Sequence, residues 1–113
     1  MQPIQIIDRS TLVPEVDRPE AERVLDGDPV HTTWLAEERD DFWSGMWQTT
    51  PGTWRVNFTE WEFIHVHSGL SILTDEDGVE TRLSAGTSVI IRPGFKGTWT
   101  CIETTLKDFV IRA

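Results

Sequence analysis

The run Glu62-Phe-Ile-His-Val-His-Ser-Gly69 carries three side chains suited to metal or proton chemistry. Histidines at i and i+2 share one face of a strand. His65 and His67 could therefore hold an adventitious metal or, more simply, pack and hydrogen-bond between sheets or against a second copy. Alternation puts Glu62 on the opposite face, so the run does not unite carboxylate and imidazoles. Glu62 and Glu103 are the carboxylates whose type suits a general base. Lys107, Lys96 and Arg55 are the cations that would stabilise a developing anion. Glu62 also reads as half of a buried ion pair with Arg55 or Lys107, and Glu103 with Lys107 as a salt bridge across a corner. Cys101 lies on an apolar strand with no neighbouring histidine or cation, which suits a small buried hydrophobe better than a nucleophile. His31 has no partner in sequence and takes no functional role from the sequence alone.

Large flat rings form the second set. The chain has six tryptophans and five phenylalanines but no tyrosine. Such rings bury much area and stack, so they imply an aromatic core or pocket wall. Trp47 and Trp99 are the candidates to stack on a ligand, with Trp99 equally a core residue. Trp34, Trp43, Trp47, Trp54 and Trp61 divide between core and subunit interface.

The 113 residues allow one domain with one modest core. A net charge of −9 argues against a nucleic-acid partner and against an anionic membrane surface. Ten of the carboxylates lie between Glu15 and Asp41, which reads as a solvated N-terminal segment rather than an acidic binding tail. A single cysteine permits no intrachain disulfide and suits a reducing compartment. No apolar run is long enough for a membrane span or a signal-peptide core, so the cytoplasm is the expected location.

The elements that must position these residues are mostly strands. Pro19 to Leu25 suits one or two helical turns, closed by the turn cluster Asp26-Gly27-Asp28-Pro29. Beyond it, short β-branched and aromatic runs alternate with Gly, Pro and Asp. Strands are predicted over Ile4–Ile7, His31–Leu35, Trp43–Gln48, Thr53–Phe58 and Trp61–His67. They continue over Leu70–Thr74, Val79–Leu83, Ser88–Arg92, Thr98–Ile102 and Lys107–Ile111. Thr74 to Gly78 reads as a hairpin loop with Gly78 at positive φ, and Arg92-Pro93-Gly94 as a further turn. Many short strands in one domain point to a sandwich or barrel.

Glu62 to Gly69, followed after a short hairpin by Gly86-Thr-Ser-Val-Ile-Ile-Arg-Pro-Gly94, resembles the two cupin motifs. Arg23-Val-Leu-Asp-Gly-Asp-Pro29, Gly45-Met-Trp47, Pro51-Gly-Thr-Trp54, Gly94-Phe-Lys-Gly-Thr-Trp99 and Glu103-Thr-Thr-Leu-Lys107 extend the likeness over nearly the whole chain. Together, in this order, they resemble small single-domain cupins of the ureidoglycine aminohydrolase-like and ethanolamine-utilisation-like subfamily of the RmlC-like superfamily. The resemblance implies an all-β, single-domain cupin: a double-stranded β-helix, or jelly-roll-like barrel, over 31–113. Residues 1–30 would be an N-terminal arm with an edge strand and a possible short helix. It also implies a homodimer, with Ile4–Ile7 and some exposed tryptophans at the contact.

The departures bear on function. Counting back from Glu62, the family's histidine pair falls on Arg55 and Asn57, or on Val56 and Phe58 with the shorter gap. Its third histidine falls on Gly97, and Arg92 stands in the motif's proline position. Read as the metal pair instead, His65 and His67 would need a glutamate where Ser71 and Ile72 stand. One surviving carboxylate does not make a transition-metal site, so no metal and no cofactor are expected. Because the family's metal-binding positions point inward, the expected pocket contains Arg55, Asn57, Glu62, Ile64 and Val66. Gly97, Trp99, Cys101 and Glu103 share parity on a neighbouring strand, with free volume beside Gly97. Lys107, Phe109 and Ile111 share parity on the last. The expected function is metal-independent binding of a small polar metabolite by Arg55, Asn57, Glu62, Trp99 and Trp47. The alternative is a metal-independent isomerase, epimerase or hydrolase, on a nitrogenous substrate by resemblance, with Glu62 as base and Lys107 or Glu103 assisting. A structural or regulatory partner protein is the third class.

Overall fold

Two long strands organise the molecule, and each joins two segments that the sequence reads as separate. In the computed structural model, which describes residues 2–113, Trp61–His67 and Leu70–Thr74 run together, as do Thr98–Ile102 and Lys107–Ile111. In chain order the strands are β1 (Glu15–Asp17), β2 (Val24–Gly27), β3 (His31–Arg39), β4 (Phe42–Thr49) and β5 (Gly52–Asn57). They continue with β6 (Trp61–Asp75), β7 (Glu80–Ser84), β8 (Ser88–Ile91) and β9 (Lys96–Arg112). Every pairing is antiparallel. No α-helix occurs among the described residues.

β6 and β9 pair along nearly their full length, and the ladder slips three times between Val66 and Ser71. Such bulges add residues to one strand and bend it. Gly69, at φ +94°, sits at the bend, and a Cβ there would come within 2.0 Å of the Thr104 carbonyl oxygen. Only a residue without a side chain lets the strands touch at this point. Beyond the bend each long strand changes partners. The first half of β6 pairs with β8 and the second with β7; β9 pairs first with β5 and then with β4. The curled sheet encloses a core of Trp54, Ile64, Val66, Leu73, Leu83, Ile91, Trp99, Cys101 and Phe109. This is the expected all-β barrel.

The inward parity of β6 records the bend: Glu62, Ile64 and Val66 are buried before it, Ser71 and Leu73 after it. The hairpin is built as read. Gly78 has φ +84°, and the Asp75 carboxylate accepts hydrogen bonds from the Asp77 and Val79 amides.

The N-terminal segment differs from expectation. Ile4–Ile7 forms no strand, and Ile4 and Ile6 are more than four-fifths exposed. β1 takes the β3 edge at His31–Thr33, and the Ile4–Ile7 segment hydrogen-bonds to β3 only through the Gln5 side chain, which donates to the Ala36 carbonyl oxygen at 3.5 Å. The helix read into Pro19 to Leu25 shrinks to one 3-10 turn, Ala21–Arg23, and Val24 enters β2 against β5. A helix of one or two turns is marginal by itself, and Glu20 supplies no side-chain cap, so strand pairing prevails.

Candidate functional site

β4, β5, β6 and β9 converge on a cavity of about 290 Å³ at one end of the barrel, joined by β3 through Thr33. Its walls are chiefly rings. Trp54 and Trp99 are cross-strand partners on β5 and β9, stacked with centroids 5.9 Å apart at 12°. Trp47 meets Trp99 edge-on at 5.3 Å. Trp43, Phe58 and Phe109 extend the aromatic surface, with Val56 and Ile111 between them.

One polar feature faces these rings. Lys107 Nζ donates to Glu62 Oε2 at 2.8 Å, and each side chain is at least nine-tenths buried. Lys107 lies opposite Val66 in the β6–β9 ladder and Glu62 opposite Ile111, so the lysine stem runs along the strand to reach the carboxylate. The ammonium lies 4.4 Å from the Trp47 ring centroid and 5.0 Å from that of Trp99, so both indoles offer it cation–π stabilisation. Ion pair and rings thus form one unit.

His31 sits beside this unit, 4.8 Å from Trp47 and 4.7 Å from Trp54. Its Nε2 is buried without a hydrogen-bond partner, and its Nδ1 is 3.6 Å from an Asp17 carboxylate oxygen. Burial lowers its pKa below the ordinary 6.5; the Asp17 charge opposes this and the Lys107 charge adds to it. The imidazole is therefore neutral at neutral pH. His31 has no partner in sequence, and its inward parity with Thr33 on a strand is the one local signal of this placement.

Of the residues singled out for a site, Glu62, Lys107, Trp47 and Trp99 come together at this cavity. Three others do not. Arg55 and Asn57 are exposed, and Val56 and Phe58 take the inward places. Of the two registers counted back from Glu62, the shorter gap is the one that faces in. Arg55 consequently makes no pair with Glu62. Glu103 is exposed too, in the run Ile102 to Thr104 where β9 turns through its bend and alternation lapses. It forms no salt bridge with Lys107, which points the other way. Gly97 leaves no free volume either, since a Cβ there would meet the Thr74 carbonyl oxygen at 1.8 Å. The glycine marks a close strand crossing.

Trp43, Trp54, Val56, Phe58, Phe109 and Ile111 complete the wall without having been assigned to it. Their inward parity on β4, β5 and β9 was the available signal. His65 and His67 lie on the outer face, as alternation requires. His65 Nδ1 is 2.8 Å from the Ser88 hydroxyl, and His67 Nε2 is 2.9 Å from an Asp108 carboxylate oxygen. Cys101 is buried, with Sγ 3.1 Å from the Glu103 carbonyl oxygen.

A resident metal does not fit the cavity. Its only ligand-type side chain is Glu62, already bonded to an ammonium, and Val56 and Phe58 occupy two inward positions where ligands would be needed. Among the described residues no cluster of three or more His, Cys, Asp or Glu side chains could hold a metal ion.

Residues 36–109 match the family model for the EutQ-like cupin domain. No curated protein matches the sequence. Among solved structures, a protein of unknown function of the DUF861 family from Pseudomonas syringae is similar, with TM-score 0.79 and 19% identity over 93% of this chain. This chain spans 46% of that protein's length. The EutQ protein of Clostridium difficile has TM-score 0.67 and 16% identity, covering 89% of this chain and 94% of its own. A Thermotoga maritima protein described as a predicted oxalate decarboxylase has TM-score 0.69 and 14% identity, covering 96% and 98%. At these identities the likeness shows the fold alone.

Proposed function

The chain belongs to the EutQ-like cupin domain family, and from that premise we propose that it binds a small polar metabolite in the barrel without a metal or other cofactor. The observation that carries this reading is the Glu62–Lys107 pair, buried at an open, ring-walled cavity. A mostly apolar pocket with a few convergent polar groups is the usual form of a small-molecule site. Buried ion pairs seldom add stability over a well-packed apolar substitute, so one beside unfilled space favours a role in recognition.

The same adjacency supports a second reading, a metal-independent enzyme. Glu62 would take a proton from the bound molecule while Lys107 stabilised the resulting anion. The ureidoglycine aminohydrolase-like part of the resemblance lends this reading a nitrogenous substrate, though not that family's metal chemistry. For assembly, the exposed Ile4 and Ile6 favour a homodimer held through the N-terminal arm, which light scattering would test.

Metal analysis of the purified protein should find no stoichiometric manganese, zinc, iron or nickel; one equivalent would overturn the metal-free reading. For the pocket, metabolite binding should weaken at least tenfold in Glu62→Gln, and unchanged binding would remove Glu62 from the site. Turnover lost in Glu62→Gln would move the assignment from binding to catalysis.

A further inference from the structure

We propose that the cavity selects neutral, flat heterocycles with a cis-amide edge, the N–H and C=O of a lactam presented side by side. This rests on reading the cavity as a ligand site and names the class of molecule it takes.

Charge narrows the ligand class first. Glu62 and Lys107 are the only titratable residues lining the cavity, and their charges cancel. Neutral His31 adds none. A charged ligand would bring an unbalanced charge into a largely desolvated site, which is costly. A wholly apolar ligand fails differently. Lys107 bonds Glu62 through Oε2, so the other carboxylate oxygen would be covered without a partner and the remaining ammonium protons would keep only the indole faces.

A cis amide satisfies both groups at once. Its N–H donates to Glu62 Oε1 and its carbonyl oxygen accepts from Lys107 Nζ, two charge-assisted bonds on a carboxylate and an ammonium that the 2.8 Å Nζ–Oε2 bond holds side by side. An open-chain trans amide holds its N–H and C=O on opposite sides and cannot reach both, which sets peptides apart from lactams. Shape narrows the class further. The stacked Trp54 and Trp99 with the edge-on Trp47 favour a planar body. A cavity of about 290 Å³ holds roughly ten heavy atoms at about 30 Å³ per water-sized group. That is one or two fused rings.

The test is a probe series titrated by calorimetry, with the indole N–H signals followed by NMR. The probes are 2-quinolinone, its N-methyl derivative, 2-naphthoate and 2-naphthylmethylammonium. We expect 2-quinolinone to bind and to shift pocket indole signals, and the other three to be at least about tenfold weaker, the loss of one charge-assisted bond. N-methylquinolinone or either ion binding as tightly as the lactam would overturn the ligand class while leaving the pocket reading intact. No binding by any of the four would overturn both. Lys107→Met should move the preference to the ammonium probe, because Glu62 is then uncompensated. If that variant does not fold, Glu62→Leu combined with Lys107→Met keeps the site neutral, removes both hydrogen-bonding groups and should lose lactam affinity; unchanged affinity would overturn the proposal.

Discussion

The barrel buries polar groups in two places and treats them in opposite ways. At the bend of β6 and β9, the Ser71 and Thr105 hydroxyls lie 2.7 Å apart, and Thr105 donates on to the Glu103 carbonyl at 2.8 Å. Thr49 bonds the Thr50 carbonyl and Cys101 approaches two carbonyl oxygens, so this cluster is neutral, sealed and answered mostly by backbone. At the cavity, Glu62 and Lys107 carry full charges, answer each other and have donor and acceptor capacity to spare. Polar groups that close on the main chain hold a shape. A charged pair next to unfilled space keeps capacity for a visitor.

The sharpest way to break this contrast is to remove one charge. Lys107→Met leaves Glu62 buried and unpaired, and should cost about 3–5 kcal/mol in denaturant unfolding. Adding Glu62→Gln should recover most of that loss, because the pair as a whole does little for stability. A small loss in the single variant would mean that the cavity is wet enough to solvate a lone carboxylate. The sealed cluster should respond more weakly. Thr105→Val removes a hydroxyl from the Ser71 contact and should cost about 1–3 kcal/mol, with no effect on ligand binding. Weakened binding in Thr105→Val would show that the two polar regions are coupled.

Smaller still is the acid response of His31, which faces Asp17 on β1 and Lys107 across the tryptophans. Its folded-state pKa lies below the 6.5 of an unperturbed histidine, so the unfolded chain takes up its proton first. Stability from this source is complete above pH 6.5. It falls as pH drops below that value, at no more than about 1.4 kcal/mol per pH unit. His31→Phe should flatten the stability profile between pH 6.5 and 5. An unchanged slope would assign the acid response elsewhere.

What was legible in the sequence divides along the same lines. Alternation from Trp61 to His67 placed Glu62 inward and both histidines outward, because the ladder runs unbroken from Trp61 to Val66 and the first slip comes only after it. It failed at Glu103, where the bend leaves three successive residues exposed, and bulges of that kind leave little local signature. Gly97 was misread because a glycine that admits a neighbouring backbone looks, in sequence, like one that leaves a hole. The joining of two short strands into β6 was hidden by Gly69, which reads as punctuation but acts as a hinge within one ladder. His31 was missed because its neighbours, Asp17, Trp47 and Trp54, come from three other strands, β1, β4 and β5.

The smallest predicted effect tests the correction at β5. Arg55 and Asn57 are exposed while Val56 and Phe58 form the wall, so a one-residue slip in register separates two different sites. Arg55→Ala and Asn57→Ala should each change stability by no more than about 0.5 kcal/mol and leave 2-quinolinone affinity within twofold. Phe58→Ala should weaken that affinity through the lost aromatic surface. The reverse pattern, with a tenfold loss at Arg55→Ala and none at Phe58→Ala, would mean that the ligand lies against the outer face of β5. The buried pair at Glu62 and Lys107 would then be left with a purely structural role.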